Sequence, residues 1–177
     1  MTISLVIDTA TSRTVVGLVN GDQVLFEKFH EGATDHGRAV SDLVSQALLN
    51  NPNPEEVIVG MGPGPFTGLR VGIAFAQSFA LAREIPLKGI CSLDAIHIDK
   101  SDYTVAIDAR RKEIYWARYS GGVRVEGPAV NKPDEVADYI LGRHPAIGEF
   151  VRLSKLTNEP APLYLRRPDA VPTAERS

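Results

Sequence analysis

Long apolar runs, cysteines and a surplus of basic charge are what this sequence has least of. No apolar run reaches the roughly 18 residues that a membrane-spanning helix needs, and no basic-then-apolar segment opens the chain. Cys91 is the single cysteine, so an intrachain disulfide is impossible and a reducing compartment is expected. Together these absences point to a cytoplasmic protein with no membrane partner. Nineteen Lys and Arg against 22 Asp and Glu leave a net charge of −3, which speaks against independent nucleic-acid binding through a broad basic face. What remains is ordinary for a globular chain: 177 residues, 44% hydrophobic and 23% charged, enough for one large domain or two small ones.

The most distinctive stretch runs from 57 to 86. A short apolar strand (57–61) leads into a Gly/Pro loop (62–68) and then a long helix that ends before Pro86. Gly62, Gly64 and Gly68 give the loop backbone freedom while Pro63 and Pro65 stiffen it. Thr67 is the expected N-cap. The helix is apolar almost all round, so something besides its own sheet should cover it.

Taken in order, the chain starts with alternating Ile3, Leu5 and Ile7 in a strand ending at Asp8. A second strand (14–19) turns at Asn20-Gly21 into a third (23–29). Asp35 or Thr34 should cap a helix in which Val40, Leu43, Val44, Ala47 and Leu48 share one face. After the 57–86 stretch come a strand at 87–91 and an expected helix at 92–98. The pattern then restarts. Val105-Ala106-Ile107-Asp108 echoes Leu5-Val6-Ile7-Asp8, and Gly121-Gly122 stands where Asn20-Gly21 stood, at the same interval from the Asp. A strand at 123–126 and a helix at about 133–142 would complete the echo. The repeat argues for a duplicated α/β architecture, with lobes at 1–100 and 101–177. The second is expected to be abbreviated: after Ile147 the sequence reads as a short polar stretch (149–160) before the tail, leaving no room for a second loop-strand-helix unit.

Ile7-Asp8-Thr9, the loop from Gly62 to Arg70, Ile107-Asp108-Ala109-Arg110 and the tail Tyr164-Leu165-Arg166 together resemble the TsaB (YeaZ-like) family, over nearly the whole chain. The resemblance implies an actin/hexokinase-like fold of two ribonuclease-H-like halves. It implies a dimerisation subunit without catalysis of its own, working with a catalytic paralogue, TsaD, and an ATPase, TsaE. Together they transfer threonylcarbamoyl to the adenosine next to the anticodon of tRNA. Members of that family usually have a longer second half, which is a departure here.

An ATP site in that superfamily needs two turns whose backbone comes close to phosphates, a task for glycine. The turns here are Thr9-Ala10-Thr11-Ser12 and Ala109-Arg110-Arg111-Lys112, without one. Asp8 and Asp108 could hold a cation or nucleotide as a vestigial site, or simply accept bonds from their own turns. Any ATP and magnesium are expected in the partner or at the complex, and no cofactor in this chain. The catalytic paralogue resembles residues 89–97 but has histidines four apart, aligned here with Ser92 and Ile96; His97 is out of phase, and no metal site is expected. Cys91 reads as a core residue and the serines lack a nucleophile elbow. The basic runs Arg110-Arg111-Lys112 and Arg166-Arg167 could join a tRNA surface within an assembly or be solvated turns, so tRNA contact is expected to be indirect or weak.

Association is the remaining function. The two neighbouring helices offer Val40, Leu43, Val44, Ala47, Leu69, Arg70, Ile73, Ala74 and Gln77 as candidate interface residues, in a heterodimer with the paralogue or a homodimer when alone. The alternatives are that these faces cover one another within the monomer, and that the chain is a small-molecule kinase or ATPase using Asp8 and Asp108.

Overall fold

The computed structural model describes residues 1–32 and 34–166. Its first sheet grows from the alternation read above. β1 (Ile3–Asp8) and β2 (Arg13–Asn20) pair antiparallel, with Leu5 opposite Leu18 and Ile7 opposite Val16. β3 (Gln23–Glu31) follows through a two-residue turn at Gly21 and Asp22, one position later than expected because Asn20 still pairs with Gln23; Gly21 takes a φ of 61°. β4 (Glu56–Gly60) and β5 (Leu87–Ile90) join in parallel, giving the order β3-β2-β1-β4-β5.

Parallel neighbours cannot be joined by a tight turn, so helices make the crossovers. α1 (His36–Leu48) and α2 (Phe66–Ala82) lie on one face of this sheet. Val40, Leu43, Val44 and Ala47 of α1, with Leu69, Ile73, Ala76 and Ala80 of α2, pack there on Leu5, Ile7, Val16, Leu18, Val57 and Val59. Helix α2 starts at Phe66 with Pro65 as its N-cap residue; Thr67 is its second residue and no side chain caps it. Asp35 is the N-cap residue of α1, again without a capping side-chain bond.

The second sheet repeats the plan in small. β6 (Asp102–Asp108), β7 (Ile114–Ser120) and β8 (Val123–Asn131) form the meander, and β9 (Tyr139–Ile140) lies parallel to β6 as β4 lies parallel to β1. The duplicated α/β architecture is therefore present. Three further local expectations fail. The helix expected at 133–142 is one 3-10 turn, Pro133–Glu135, closed by Glu135 accepting from the Lys132 amide at 3.2 Å and from Asn131 Nδ2 at 3.1 Å. So few residues must also supply β9, which leaves no length for a helix. No helix forms at 92–98 either, because Ala95 points into the core of the first sheet while Leu93 and Ile96 point into that of the second. A helix buries one stripe and cannot serve two cores this way.

The third correction concerns the stretch after Ile147, expected to be polar and irregular. It forms α3 (Ile147–Leu153), which buries Ile147, Phe150 and Val151 against Val6, Val15, Val19, Ile58 and Ile90 on the other face of the first sheet. Gly17 makes this possible: a Cβ there would lie 2.7 Å from Ile147 Cδ1. The strand-then-helix that seemed to have no room is present in miniature, its helix covering the first sheet. Arg167 and Pro168 of the tail lie outside the described residues. Among the described residues no helix is long and apolar enough to cross a membrane.

Phe150 is the largest fully buried side chain among the described residues. Phe150→Ala is expected to lower stability by about 3–5 kcal/mol by leaving a cavity under α3. Urea unfolding followed by far-UV circular dichroism checks this, and a loss below 1 kcal/mol would mean that α3 is not anchored there.

Candidate functional site

Two places come out of the residues singled out by sequence: the helix pair, and the turns where the lobes meet. On the helix pair, glycine decides what touches what. Gly68 and Gly72 lie on the buried face of α2, under Thr9 and His36. A Cβ at Gly68 would lie 3.0 Å from the His36 ring, and one at Gly72 would strike Thr9. Thr9 Oγ1 donates to the Gly68 carbonyl at 2.8 Å. His36 in turn shares a 2.8 Å hydrogen bond between its Nδ1 and Thr14 Oγ1. Burial first, then the charge of Arg110, holds the His36 imidazole below its ordinary pKa and so neutral at pH 7. The small residues of α2 thus serve the approach of the β1–β2 turn and of α1, and only Ala74 among Gly72, Ala74 and Ala76 is exposed.

Of the candidate interface residues, Val40, Leu43, Val44, Ala47, Leu69 and Ile73 belong to the chain's own core. Arg70, Ala74 and Gln77 face outward. Leu81 continues their row and is 81% exposed. The spacing of 70, 74, 77 and 81 sets all four on one side of the helix. Arg70 lies over the Phe66 ring at 5.1 Å.

The strand-tip carboxylates sit in different surroundings. Asp8 is fully buried. Its Oδ1 accepts from the Ala10 amide at 3.1 Å, and its Oδ2 accepts from the Ser92 hydroxyl at 2.6 Å. Ser92 Oγ also accepts from the Gly62 amide at 3.3 Å, and the Ser92 amide donates to the Gly62 carbonyl at 2.7 Å. Nothing larger than glycine fits at position 60, where a Cβ would collide with the Asp8 carboxylate. Asp108 is exposed and accepts from the Arg110 amide at 3.0 Å. It borders a pocket of about 260 Å³ between the lobes, lined also by Thr11, Ser12, Arg110, Arg143 and His144; Asp8 does not line it. Both carboxylates thus accept from the residue two positions on in their own turns.

The positions aligned with the paralogue's histidines are Ser92, bound to Asp8, and Ile96, 1% exposed in the core of the second sheet. His97 is exposed, 4.0 Å from Glu149. His30 stands 3.6 Å from Asp35. Among the described residues no group of three His, Cys, Asp or Glu side chains is placed to hold a metal ion. Burial pushes the Cys91 thiol up to about 12, so it stays protonated and unreactive. Sequence reasoning missed two functional details. One is Ser92 as the donor to Asp8, which no local pattern announces. The other is Arg166, whose Nη1 donates to the Ala109 carbonyl at 2.7 Å and which pairs with Glu113, tying the tail to the β6–β7 turn.

Comparison with known proteins places this geometry. The family model described as TsaD, tRNA N6-adenosine threonylcarbamoyltransferase, matches residues 31–167. An uncharacterized protein of Mycobacterium tuberculosis is 40% identical over 199 residues, covering 96% of this chain and 94% of that protein. The alignment is longer than the 177 residues of this chain, so that relative carries residues this chain lacks. The tRNA threonylcarbamoyladenosine biosynthesis protein TsaB of Escherichia coli is 35% identical over 125 residues, 65% of this chain and 54% of that protein. In fold, the chain is similar to YeaZ from Pseudomonas aeruginosa, with a TM-score of 0.74 at 20% identity, covering 86% of this chain and 91% of that one.

Burial raises the Asp8 carboxyl above its ordinary range, while the Ser92 and Ala10 bonds pull it back. A raised folded-state pKa means that the folded chain holds this proton more tightly than the unfolded one. The stability from this group is therefore fully present below the ordinary carboxylate pKa and lost as pH rises through the folded value. Ser92→Ala removes the donor that favours the ionised form and should cost about 1–3 kcal/mol once pH exceeds the raised folded-state value. The deficit should shrink as pH falls and Asp8 becomes protonated in both proteins. Urea titrations from pH 9 to pH 4.5 check this; a deficit that does not change with pH overturns it.

Proposed function

We infer the role from one premise: the chain belongs to the TsaD family of tRNA N6-adenosine threonylcarbamoyltransferases, as a TsaB-like (YeaZ-like) paralogue of the catalytic members. It is a non-catalytic partner in the threonylcarbamoyladenosine modification of tRNA, acting alongside TsaD. The observation that carries this reading is the fate of Asp8. A carboxylate at this strand tip would have to reach a cation or nucleotide in the cleft to support turnover. Here it is sealed in the core, with Ser92 bound to one oxygen and Ala10 to the other.

The face left for a partner is the outer row of α2: Arg70, Ala74, Gln77 and Leu81, beside the exposed side of α1. In our reading the TsaD-like partner lays its own helix pair along this row, as two helix pairs can bury a patch of the size stable complexes need. A second copy of this chain would use the same row when the partner is absent. A TsaE-like ATPase would join the assembled pair, with ATP and magnesium held by the partner or at the complex. The competing reading, a small-molecule kinase or ATPase using Asp8 and Asp108, would need both carboxylates at one cavity. Only Asp108 borders the cleft.

Ala74 is the one small residue in the row, so Ala74→Arg should hold two helices apart without disturbing the fold. Association with the TsaD-like partner is expected to weaken at least tenfold, equivalent to about 1.4 kcal/mol, while the melting temperature stays within about 2 °C of wild type, as for an ordinary surface substitution. Analytical size exclusion and calorimetric titration read both. Undiminished association would move the interface elsewhere. Unchanged threonylcarbamoyladenosine in tRNA after depletion of this chain in cells would overturn the function itself.

A further inference from the structure

The turn between β6 and β7 is built against backbone preference. Arg110, Arg111 and Lys112 take φ values of 58°, 55° and 62° in succession. This is left-handed backbone, which glycine and asparagine adopt far more readily than long side chains. Three cations occupy it instead. The turn is also clamped. The Ala109 amide donates to the Glu113 carbonyl at 2.9 Å and the Glu113 amide to the Arg110 carbonyl at 3.1 Å. From the tail, Arg166 bonds the Ala109 carbonyl at 2.7 Å and pairs with Glu113. Arg110, Arg111 and Lys112 are exposed on this fixed platform.

The surroundings add charge of the same sign. Arg143, exposed after β9, lines the 260 Å³ pocket together with Arg110, the half-buried His144 and the residues Thr11 and Ser12. Among the nearby acids, Asp108 accepts from the Arg110 amide, Glu113 pairs with Arg166, and Glu31, which pairs with Arg13, lies close enough to act on His144. A locally basic end results in a chain whose net charge is −3. On its other side the Phe66 and Tyr164 rings lie 4.9 Å apart at 48°, and Tyr164 is 41% exposed. These two rings, with Arg110, Arg111 and Arg166, line a small pocket of about 90 Å³. Fixed cations beside an exposed ring suit a phosphodiester backbone with an unstacked base. An acidic protein surface would engage the cations but leave the exposed ring without a role.

We propose that this platform (Arg110, Arg111, Lys112 and Arg143, flanked by Tyr164) contacts the phosphate backbone of tRNA in the assembled complex, an inference that rests on the functional reading above. Phe66 and Arg70 open α2, so the platform borders the row assigned to the partner and bound RNA would lie across the junction of the two subunits. Replacing all three turn cations by asparagine separates this role from a structural one, because Asn tolerates left-handed backbone and the variant should melt no lower than wild type.

The test uses the complex of this chain with its TsaD-like partner. Pairing is first verified by co-elution, and the affinity for unmodified tRNA is then measured across salt concentrations. With Arg110→Asn, Arg111→Asn and Lys112→Asn combined, binding should weaken about tenfold or more, and the slope of log K against log salt should flatten by about 2, at roughly 0.7–0.9 per phosphate contact. Tyr164→Ala should weaken binding with little change in slope. If the triple variant pairs normally and its tRNA affinity and slope match wild type, the proposal fails while the functional reading stands. If the variant loses pairing instead, the platform is a protein contact and the proposal also fails. If the wild-type chains do not pair at all, it is the functional reading that falls, and this proposal with it.

Discussion

One buried carboxylate fixes the centre of this molecule. Asp8, at the tip of the first strand, holds its own turn through the Ala10 amide and a distant segment through the Ser92 hydroxyl. Ser92 is tied in turn to Gly62, at the start of the Gly/Pro loop, by bonds in both directions. A charge kept out of water is costly unless each lone pair that matters finds a donor. Three chain segments must therefore stay in register for the carboxylate to be tolerated. The glycine at position 60 follows from the same packing, since any side chain there would displace the carboxylate. The loop that introduces α2, the crossing between the lobes and the end of β4 are all positioned by this cluster.

That cluster is consistent with the non-catalytic partner role of the chain. When the strand-tip carboxylate faces solvent it can reach a cation or a phosphate. When a serine from the other side of the junction closes over it, the same group becomes a structural fastener. The helix pair is left intact because it is packed on the opposite side of β1, through Leu5 and Ile7 rather than through Asp8. The surroundings of Asp8 and the packing of the helix pair are thus independent of one another. The duplicated plan survives even where its second copy is cut short. β9 still pairs in parallel with β6, and α3 still follows it, but α3 packs on the first sheet through Phe150. A small second sheet cannot bury enough surface alone, and the shared helix and the strap from Leu163 to Met61 join it to the larger half.

Hairpins and periodic elements were legible in the sequence because their causes are local. Gly21, Gly121 and Gly122 supply left-handed turn residues, the alternation in β1 declares a strand, and the spacing from Val40 to Ala47 declares the core stripe of α1. Of the interface candidates drawn from α1 and α2, six lie in the chain's own core and three face outward. Periodicity identifies which residues share a face, and the six apolar ones packed inward. The failures at 92–98 and 133–142 have a common origin. Each segment divides its residues between structures that lie far apart in sequence, two cores in one case and a turn plus a strand in the other. The helix α3 did carry a local signal, the spacing of Ile147, Phe150 and Val151, hidden by its shortness and polar flanks.

The sequence by itself determined the strand tips, the Gly/Pro loop and the repeat, because composition and nearest-neighbour preference suffice for these. Only the tertiary structure decided that Asp8 is sealed by Ser92, that Arg166 clamps a turn of three left-handed cations, and that α3 belongs to the opposite sheet. Each of those outcomes joins residues dozens of positions apart. The free energy that selects them comes from burial and hydrogen bonding between segments, which no local window of the chain contains.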